Sequence, residues 1–125
     1  MRLRFLGKES TPNNSPTLCA SDNDSLIVQG WVVTDPAVLA DLTVSDAETV
    51  VEVPARLLGF LALDGLEGDV VSVVPPIVRV LDSGNYNIQG ARDEDGEALS
   101  QMVIPDYETC VEVPKAAMRA LVVGA

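Results

Sequence analysis

Apolar and polar residues alternate along several short segments of the chain, which is the pattern of half-buried β-strands. Residues 17–20 and 25–33 are two such segments, separated by the turn sequence Ser-Asp-Asn-Asp. A further strand is predicted at 48–53, and a proline ends it. A helix is predicted to follow, with Leu57, Leu58 and Leu61 facing the core. The pattern therefore predicts strands with helices between them.

The strand predicted at 48–53 recurs 60 positions later. Glu-Thr-Val-Val-Glu-Val-Pro at 48–54 returns as Glu-Thr-Cys-Val-Glu-Val-Pro at 108–114. Laying 16–61 on 76–121 without a gap gives 14 identical pairs out of 46, where near-average residue usage gives roughly three by chance. The chain is therefore predicted to be a tandem duplication, and we call two residues 60 positions apart counterparts.

The duplication determines the predicted fold class. We expect an α+β protein in which a strand-strand-strand-helix-strand-helix unit occurs twice. A unit of this size buries too little apolar surface to be stable alone, so the two units are expected to pack about a pseudo-twofold axis as a single domain, 1–125. The first pseudo-repeat is predicted at 1–63, a linker at 64–69 and the second pseudo-repeat at 70–125.

One short pattern favours an alternative fold. The segment Leu42-x-Val-x-Asp46-x-Glu-Thr-Val50 resembles the helix, turn and acidic strand entry of cradle-loop and double-psi barrels, although it lacks the usual glycine before the aspartate. Those barrels are built from duplicated strand-strand-helix-strand units. The resemblance implies a cradle-loop or double-psi-like barrel as the alternative.

Composition narrows the function classes. The chain of 125 residues carries 19 acidic and 8 basic residues, a net charge of −11, and no histidine. Scarce and scattered Lys and Arg argue against direct nucleic-acid binding, and the lack of an apolar run near 18 residues argues against a membrane span. Because histidine is the usual general base and the commonest transition-metal ligand, we expect no enzyme activity, no cofactor and no bound metal.

Location and thiol state follow from two further features. The segment 1–8 is basic, and its apolar content is too short for the core of a signal peptide. A cytoplasmic protein is the simplest interpretation. Cys19 and Cys110 are not counterparts, and in a cytoplasmic protein we expect thiols rather than a disulfide.

The two copies differ most on one face of the third strand. Ile27, Trp31 and Val33 are apolar, whereas their counterparts at 87, 91 and 93 are Asn, Ala and Asp, so this face is predicted to be solvated in the second copy. In the first copy it must be covered by another element or by a partner, and tryptophan is enriched at protein-binding hot spots. Together with the acidity, this predicts a protein-protein interaction or regulatory module that neutralises a basic partner, with these three apolar residues as the partner-binding residues.

A small-molecule or divalent-metal-binding domain is the alternative function. It would use six polar residues at matched positions: Gln29, Gln89, Glu48, Glu52, Glu108 and Glu112. Paired glutamates can act as acid and base or hold a hard cation, but a charged face that protects an edge strand explains them as well. The glycine that follows each glutamine predicts a close backbone approach, at which the two copies of this strand meet.

Four segments resemble those of small actinobacterial proteins of undefined activity, which tend to be encoded beside helix-turn-helix regulators. The segments are Arg4-Phe-Leu-Gly-Lys8, Ser15-Pro-Thr-Leu18, Val28-Gln-Gly-Trp31 and Val51-Glu-Val-Pro54. The resemblance covers most of the chain. It implies a cytoplasmic accessory or regulatory role and assigns no catalytic residue.

Overall fold

The structure is a computed structural model, and it describes residues 2–8, 16–40, 42, 47–66, 68–70, 76–92 and 108–123. Its strands are β1 (Leu3–Lys8), β2 (Thr17–Ser21), β3 (Ser25–Val32), β4 (Glu48–Val53), β5 (Asp69–Val70), β6 (Ile77–Val80), β7 (Tyr86–Arg92), β8 (Glu108–Pro114) and β9 (Val122–Val123). Its helices are α1 (Pro36–Ala40), a 3-10 helix (Ala55–Asp64) and α2 (Lys115–Arg119). None of these helices has the length and apolar character needed to cross a membrane.

Seven of the strands form one antiparallel sheet. The order β1-β2-β3-β4-β7-β6 describes its main path, and β8 pairs with both β3 and β7. Because β4 also pairs with both β3 and β7, the four strands β3, β4, β7 and β8 form a closed ring of pairings. β5 and β9 form a separate two-stranded sheet.

The predicted α+β fold class is wrong. The described residues are mostly antiparallel strand, gathered into one seven-stranded sheet with few small helices, and they do not show a clear α+β duplication of the predicted unit. Helix α1 buries no side chain and α2 buries only Met118, so strands rather than helices build most of the core. The cradle-loop or double-psi-like alternative is wrong with the main prediction, because the described strands form one mainly antiparallel seven-stranded sheet. Residues 43–46 of the segment that suggested it lie outside the described residues. The predicted boundaries at 63 and 70 stay a prediction.

The core is formed by alternate residues of the ring strands together with the 3-10 helix. The buried residues of the ring strands in this cluster are Leu26, Val28, Val51, Val53, Ile88, Val111 and Val113. Leu57, Leu58 and Leu61 of the 3-10 helix are buried against them, which confirms the predicted apolar face. The helix ends at Gly65, whose φ of 83° lies in the left-handed region that glycine adopts without strain.

The spacing of 60 residues is visible in the strand pairing. β3 pairs with β8, and β7 pairs with β4, with the same register counterpart for counterpart. Matching pairs are Val28 with Val111 and Ile88 with Val51, and likewise Trp31 with Glu52 and Ala91 with Glu112. Each half of the chain therefore supplies neighbours to the other half, and equivalent positions meet equivalent neighbours.

Gly30 and Gly90 mark two close approaches of backbone. A Cβ atom at Gly30 would lie 2.6 Å from the carbonyl oxygen of Glu52, and one at Gly90 would lie 2.9 Å from that of Glu112. The predicted close approach is therefore confirmed. It joins β3 to β4 and β7 to β8, however, so the prediction that the two glycine-bearing strands meet each other is wrong: β3 and β7 do not pair.

Candidate functional site

Each predicted glutamine is hydrogen-bonded to a predicted glutamate from the other half of the chain. Gln29 Nε2 donates to Glu108 Oε1 at 2.8 Å, and Gln89 Nε2 donates to Glu48 Oε1 at 3.3 Å. The strand register explains both contacts. Gln29 faces Cys110 across β3 and β8, and Cys110 is two residues from Glu108 on the same face of its strand. The two Gln–Glu pairs are therefore counterparts of each other.

The Gln29–Glu108 pair is sealed inside the protein. Gln29 is 1% exposed and Glu108 is 4% exposed. Burial raises the pKa of the Glu108 carboxyl, and the Gln29 hydrogen bond and the positive charge of Lys8 oppose that shift. Glu108 Oε2 is buried and accepts no hydrogen bond from the described residues. The environment therefore disfavours the charged form of this side chain.

Apolar residues and thiols surround the sealed pair. Ile27, Cys19 and Cys110 form one buried cluster with Leu3 against it, and Ile27 contributes no accessible surface. Burial raises the pKa of the Cys19 thiol to about 11, against an opposing effect of Lys8. Neither cysteine is in a disulfide, as predicted. The first-copy face that was predicted to bind a partner is thus covered at Ile27, while Trp31 and Val33 are half-buried.

The Gln89–Glu48 pair lines a pocket of about 500 Å³. Glu112 lines the same pocket from β8 and is the third polar side chain of its wall. Most of the remaining wall is apolar, with prolines and valines from β8, β6 and the residue before β6: Pro76, Val78, Val113 and Pro114. The site therefore combines three hydrogen-bonding side chains with an apolar enclosure.

Two small side chains leave this pocket open. Ala91 and Ala117 line it, whereas their counterparts in the first half are Trp31 and Leu57. Leu57 is fully buried in the core, while Ala117 is half-buried at the pocket wall. The second half thus lacks the large side chains that the first half carries at the same two positions, and the space is available to a ligand.

Glu112 is held in place by the turn between β2 and β3. Ser25 Oγ donates to Glu112 Oε2 at 2.6 Å and Asn23 Nδ2 donates to the same oxygen at 3.0 Å. Asp24, between these two residues, has a φ of 54°, a left-handed conformation that aspartate tolerates. A second pocket of about 230 Å³ adjoins here, and Glu112 lines both. The carboxylate is therefore positioned at a junction of two cavities.

Glu52, the counterpart of Glu112, is held in the same way in the other half of the ring. Asn85 Nδ2 donates to Glu52 Oε2 at 2.9 Å, and Asn85 is the counterpart of Ser25. Glu52 does not line the pocket described above. Of the six polar residues predicted for a ligand site, the structure thus brings Gln89, Glu48 and Glu112 to one pocket and places Gln29, Glu108 and Glu52 away from it.

One interpretation of these faces is wrong, and a second holds at some positions and fails at Asn87. β4 and β8 are each paired on both sides, so the glutamates do not protect a sheet edge. Asn87, on the face predicted to be solvated in the second half, is only 2% exposed and its Oδ1 accepts no hydrogen bond from the described residues. Ala91 on the same face is exposed, as predicted, and position 93 lies outside the described residues. Alternation along a strand identified the two faces, but it could not show which positions other elements cover.

The described part of the chain contains no set of side chains that could bind a metal ion. No three Cys, Asp or Glu side chains are grouped there so that they could hold an ion. Comparison with known proteins adds no assignment, since no protein-family model, curated protein or solved structure matches this chain. The resemblance to small actinobacterial proteins therefore stays a prediction, and a function has to be argued from the pocket.

Sequence reasoning missed the two alanines that leave the pocket open. The exchange of Trp31 for Ala91 indicates a loss of apolar surface in the second copy, and the exchange of Leu57 for Ala117 is a second one of the same kind. A signal was present, because both exchanges replace a large side chain by the smallest one at matched positions. In a duplicated sheet, such large-to-small differences indicate where one copy has space that the other has filled.

Proposed function

We propose that this protein is a small-molecule-binding domain whose site is the pocket beside Gln89 and Glu48. The observation that carries the proposal is the pocket of about 500 Å³ with three polar side chains on apolar walls. Ligand sites are commonly cavities of about 300–1,000 Å³, mainly apolar, in which a few polar groups orient the ligand. This pocket has the size and the lining of that class.

Binding without catalysis is the proposed mode of action. The chain has no histidine, and each carboxylate of the pocket is engaged by a neutral donor, Gln89 for Glu48 and Ser25 with Asn23 for Glu112. Such contacts fix the orientation of acceptor groups, which suits recognition. An accessory or regulatory role in the cytoplasm completes the proposal.

A small-molecule library screened by thermal shift tests this function, because a ligand that binds the folded state raises the melting temperature. Hits should be lost in Ala117→Leu, which restores at the pocket wall the side chain of its counterpart. Ala116→Leu is the matched control, since Ala116 is exposed on the same helix and does not line the pocket. Hits that persist in Ala117→Leu, or a library without hits, would contradict the proposal.

A protein-binding surface around Trp31 is the second candidate. Trp31 and Val33 are half-buried, and Val32 between them in the chain is 37% exposed. A net charge of −11 favours a basic partner. Trp31→Asp should abolish capture of such a partner from native extract if this surface binds it. Partner capture that is unchanged in Trp31→Asp would remove Trp31 from the site.

A further inference from the structure

The polar groups of the pocket favour positive charge. Two of its three polar side chains are carboxylates, Glu48 and Glu112. All eight Lys and Arg residues of the chain lie in the described part, and none of them lines this pocket or the smaller one that adjoins it. The smaller pocket adds a third carboxylate, Asp24. An anionic ligand would therefore meet two carboxylates and no cation in the wall.

Glu112 is oriented without being neutralised. Within the described part of the chain, the two hydrogen bonds that Glu112 accepts come from uncharged donors, Ser25 Oγ and Asn23 Nδ2, and both go to Oε2. Its other oxygen accepts no bond from these donors. A carboxylate fixed in this way presents a preorganised negative charge to the cavity, and charge-assisted hydrogen bonds to an ammonium group are among the stronger ones available to proteins.

The walls require that the ligand also has an apolar part. Pro76, Val78 and Val113 surround the carboxylates, so a small inorganic cation would leave these surfaces in contact with water. The grouping of three acidic or thiol ligands that would favour a metal ion is likewise not found among the described residues. The lining matches a molecule with one charged end and one hydrocarbon end.

We propose that the ligand of this pocket is an organic amine, with its ammonium group at Glu112 and Glu48 and its hydrocarbon part between the prolines and valines. This inference rests on the proposed small-molecule function and narrows it to one chemical class. Ala91 and Ala117 determine the size of ligand that enters, because larger side chains occupy both positions in the first half.

Three probes of one size and shape test the charge preference: phenethylamine, 2-phenylethanol and phenylacetate. Titration calorimetry on the full chain should show the amine binding at least tenfold more tightly than the alcohol, with phenylacetate weakest. Amine affinity should also fall as salt is raised from 20 to 300 mM, as expected of attraction between exposed charges. This salt series needs no variant and does not depend on how a substitution folds.

Glu112→Gln should weaken phenethylamine about tenfold and leave 2-phenylethanol unchanged. Glu52→Gln is the matched control, because Glu52 is the counterpart of Glu112 and does not line the pocket, and it should leave all three affinities unchanged. An alcohol or phenylacetate that binds as tightly as the amine, or an amine that fails to bind, would overturn the inference. The proposed function stands in either case if the library screen yields hits that Ala117→Leu abolishes, and fails if it yields none.

Discussion

The two Gln–Glu pairs occupy matched positions of the ring and have opposite environments. Gln29 and Glu108 are sealed, at 1% and 4% exposure, whereas Gln89 and Glu48 line a pocket of about 500 Å³. The register that brings each glutamine to its glutamate is the same. Local pairing therefore does not decide whether such a pair is buried. Coverage by neighbouring side chains differs, since Ile27, Cys19 and Cys110 form a buried cluster on the first-half face, whereas the second-half pair lines a pocket together with Ala91 and Ala117.

The comparison also separates stability from function. A buried Gln–Glu pair with one carboxylate oxygen lacking a hydrogen bond costs stability, and a fold would retain it for its part in packing. The open pair has no such constraint, because water or a ligand can reach the polar atoms. One pair therefore lies in the core, and the other lines a pocket, where the proposed ligand would bind.

The largest expected effect is on the free energy of unfolding, and it comes from truncating the buried Leu57. Leu57→Ala should destabilise the protein by about 2–5 kcal/mol, because Leu57 is fully buried and its loss leaves a cavity. The reverse exchange at its counterpart, Ala117→Leu, should change stability by less than about 1.5 kcal/mol, since the new side chain enters open space. Urea unfolding measures both. An equal loss of unfolding free energy in the two variants would contradict the difference in packing between positions 57 and 117.

Substitution of the two glutamines should have a smaller effect on the free energy of unfolding. Gln29→Ala should cost about 1–3 kcal/mol, because it takes the hydrogen bond from a buried carboxylate. Gln89→Ala should cost about 1 kcal/mol or less, since water can replace the lost donor beside Glu48. The same unfolding measurement checks the pair. A cost at Gln89 that matches the cost at Gln29 would show that the second pair is as sealed as the first.

The pH dependence of stability should carry a signature of the sealed pair. Because burial raises the pKa of Glu108 in the folded state, the folded protein holds this proton to a higher pH than the unfolded chain, whose glutamates titrate near about 4.3. The contribution of Glu108 to stability is therefore present at low pH and is lost as pH rises through the raised folded pKa.

Glu108→Gln should remove that part of the slope, so its stability relative to the natural protein should rise between pH 4 and pH 8. Unfolding midpoints across this range measure it. Glu48→Gln is the control in the open pair, and it should keep the slope that Glu108 produces. A difference between Glu108→Gln and the natural protein that does not change with pH would contradict the assignment.

The sequence predicted much of the local structure correctly, but it did not predict the fold class. The alternation at 48–53, the turn before Ser25 and the leucines of the 3-10 helix all predicted the local structure found there. Asp35 and Pro36 also form an N-cap and proline pattern that indicates the start of a helix, and Asp35 Oδ1 accepts from the Ala37 N–H at 2.9 Å. They mark a helix of only five residues, and sequence does not show that such a helix buries nothing.

The candidate site was predictable in its residues more than in its location. Matched glutamines and glutamates were identifiable from the repeat, but the partner of each depends on a register that crosses between the halves, Gln29 with Glu108 and Gln89 with Glu48. The alternation of apolar and polar residues also did not predict which of these side chains are buried. Glu108 is a charged residue on a face that alternation assigned to solvent, and the structure buries it because other elements cover the ring there.

Solvent exchange of the two glutamine side-chain amides, measured by NMR on one sample, tests the central claim most directly. The claim is that one pair is sealed and its counterpart opens on a pocket. The Gln29 Nε2 protons should exchange with water at least tenfold more slowly than those of Gln89, because only local opening exposes a sealed group. Equal exchange rates, or slower exchange at Gln89, would contradict the account and remove the basis for a ligand site beside Glu48.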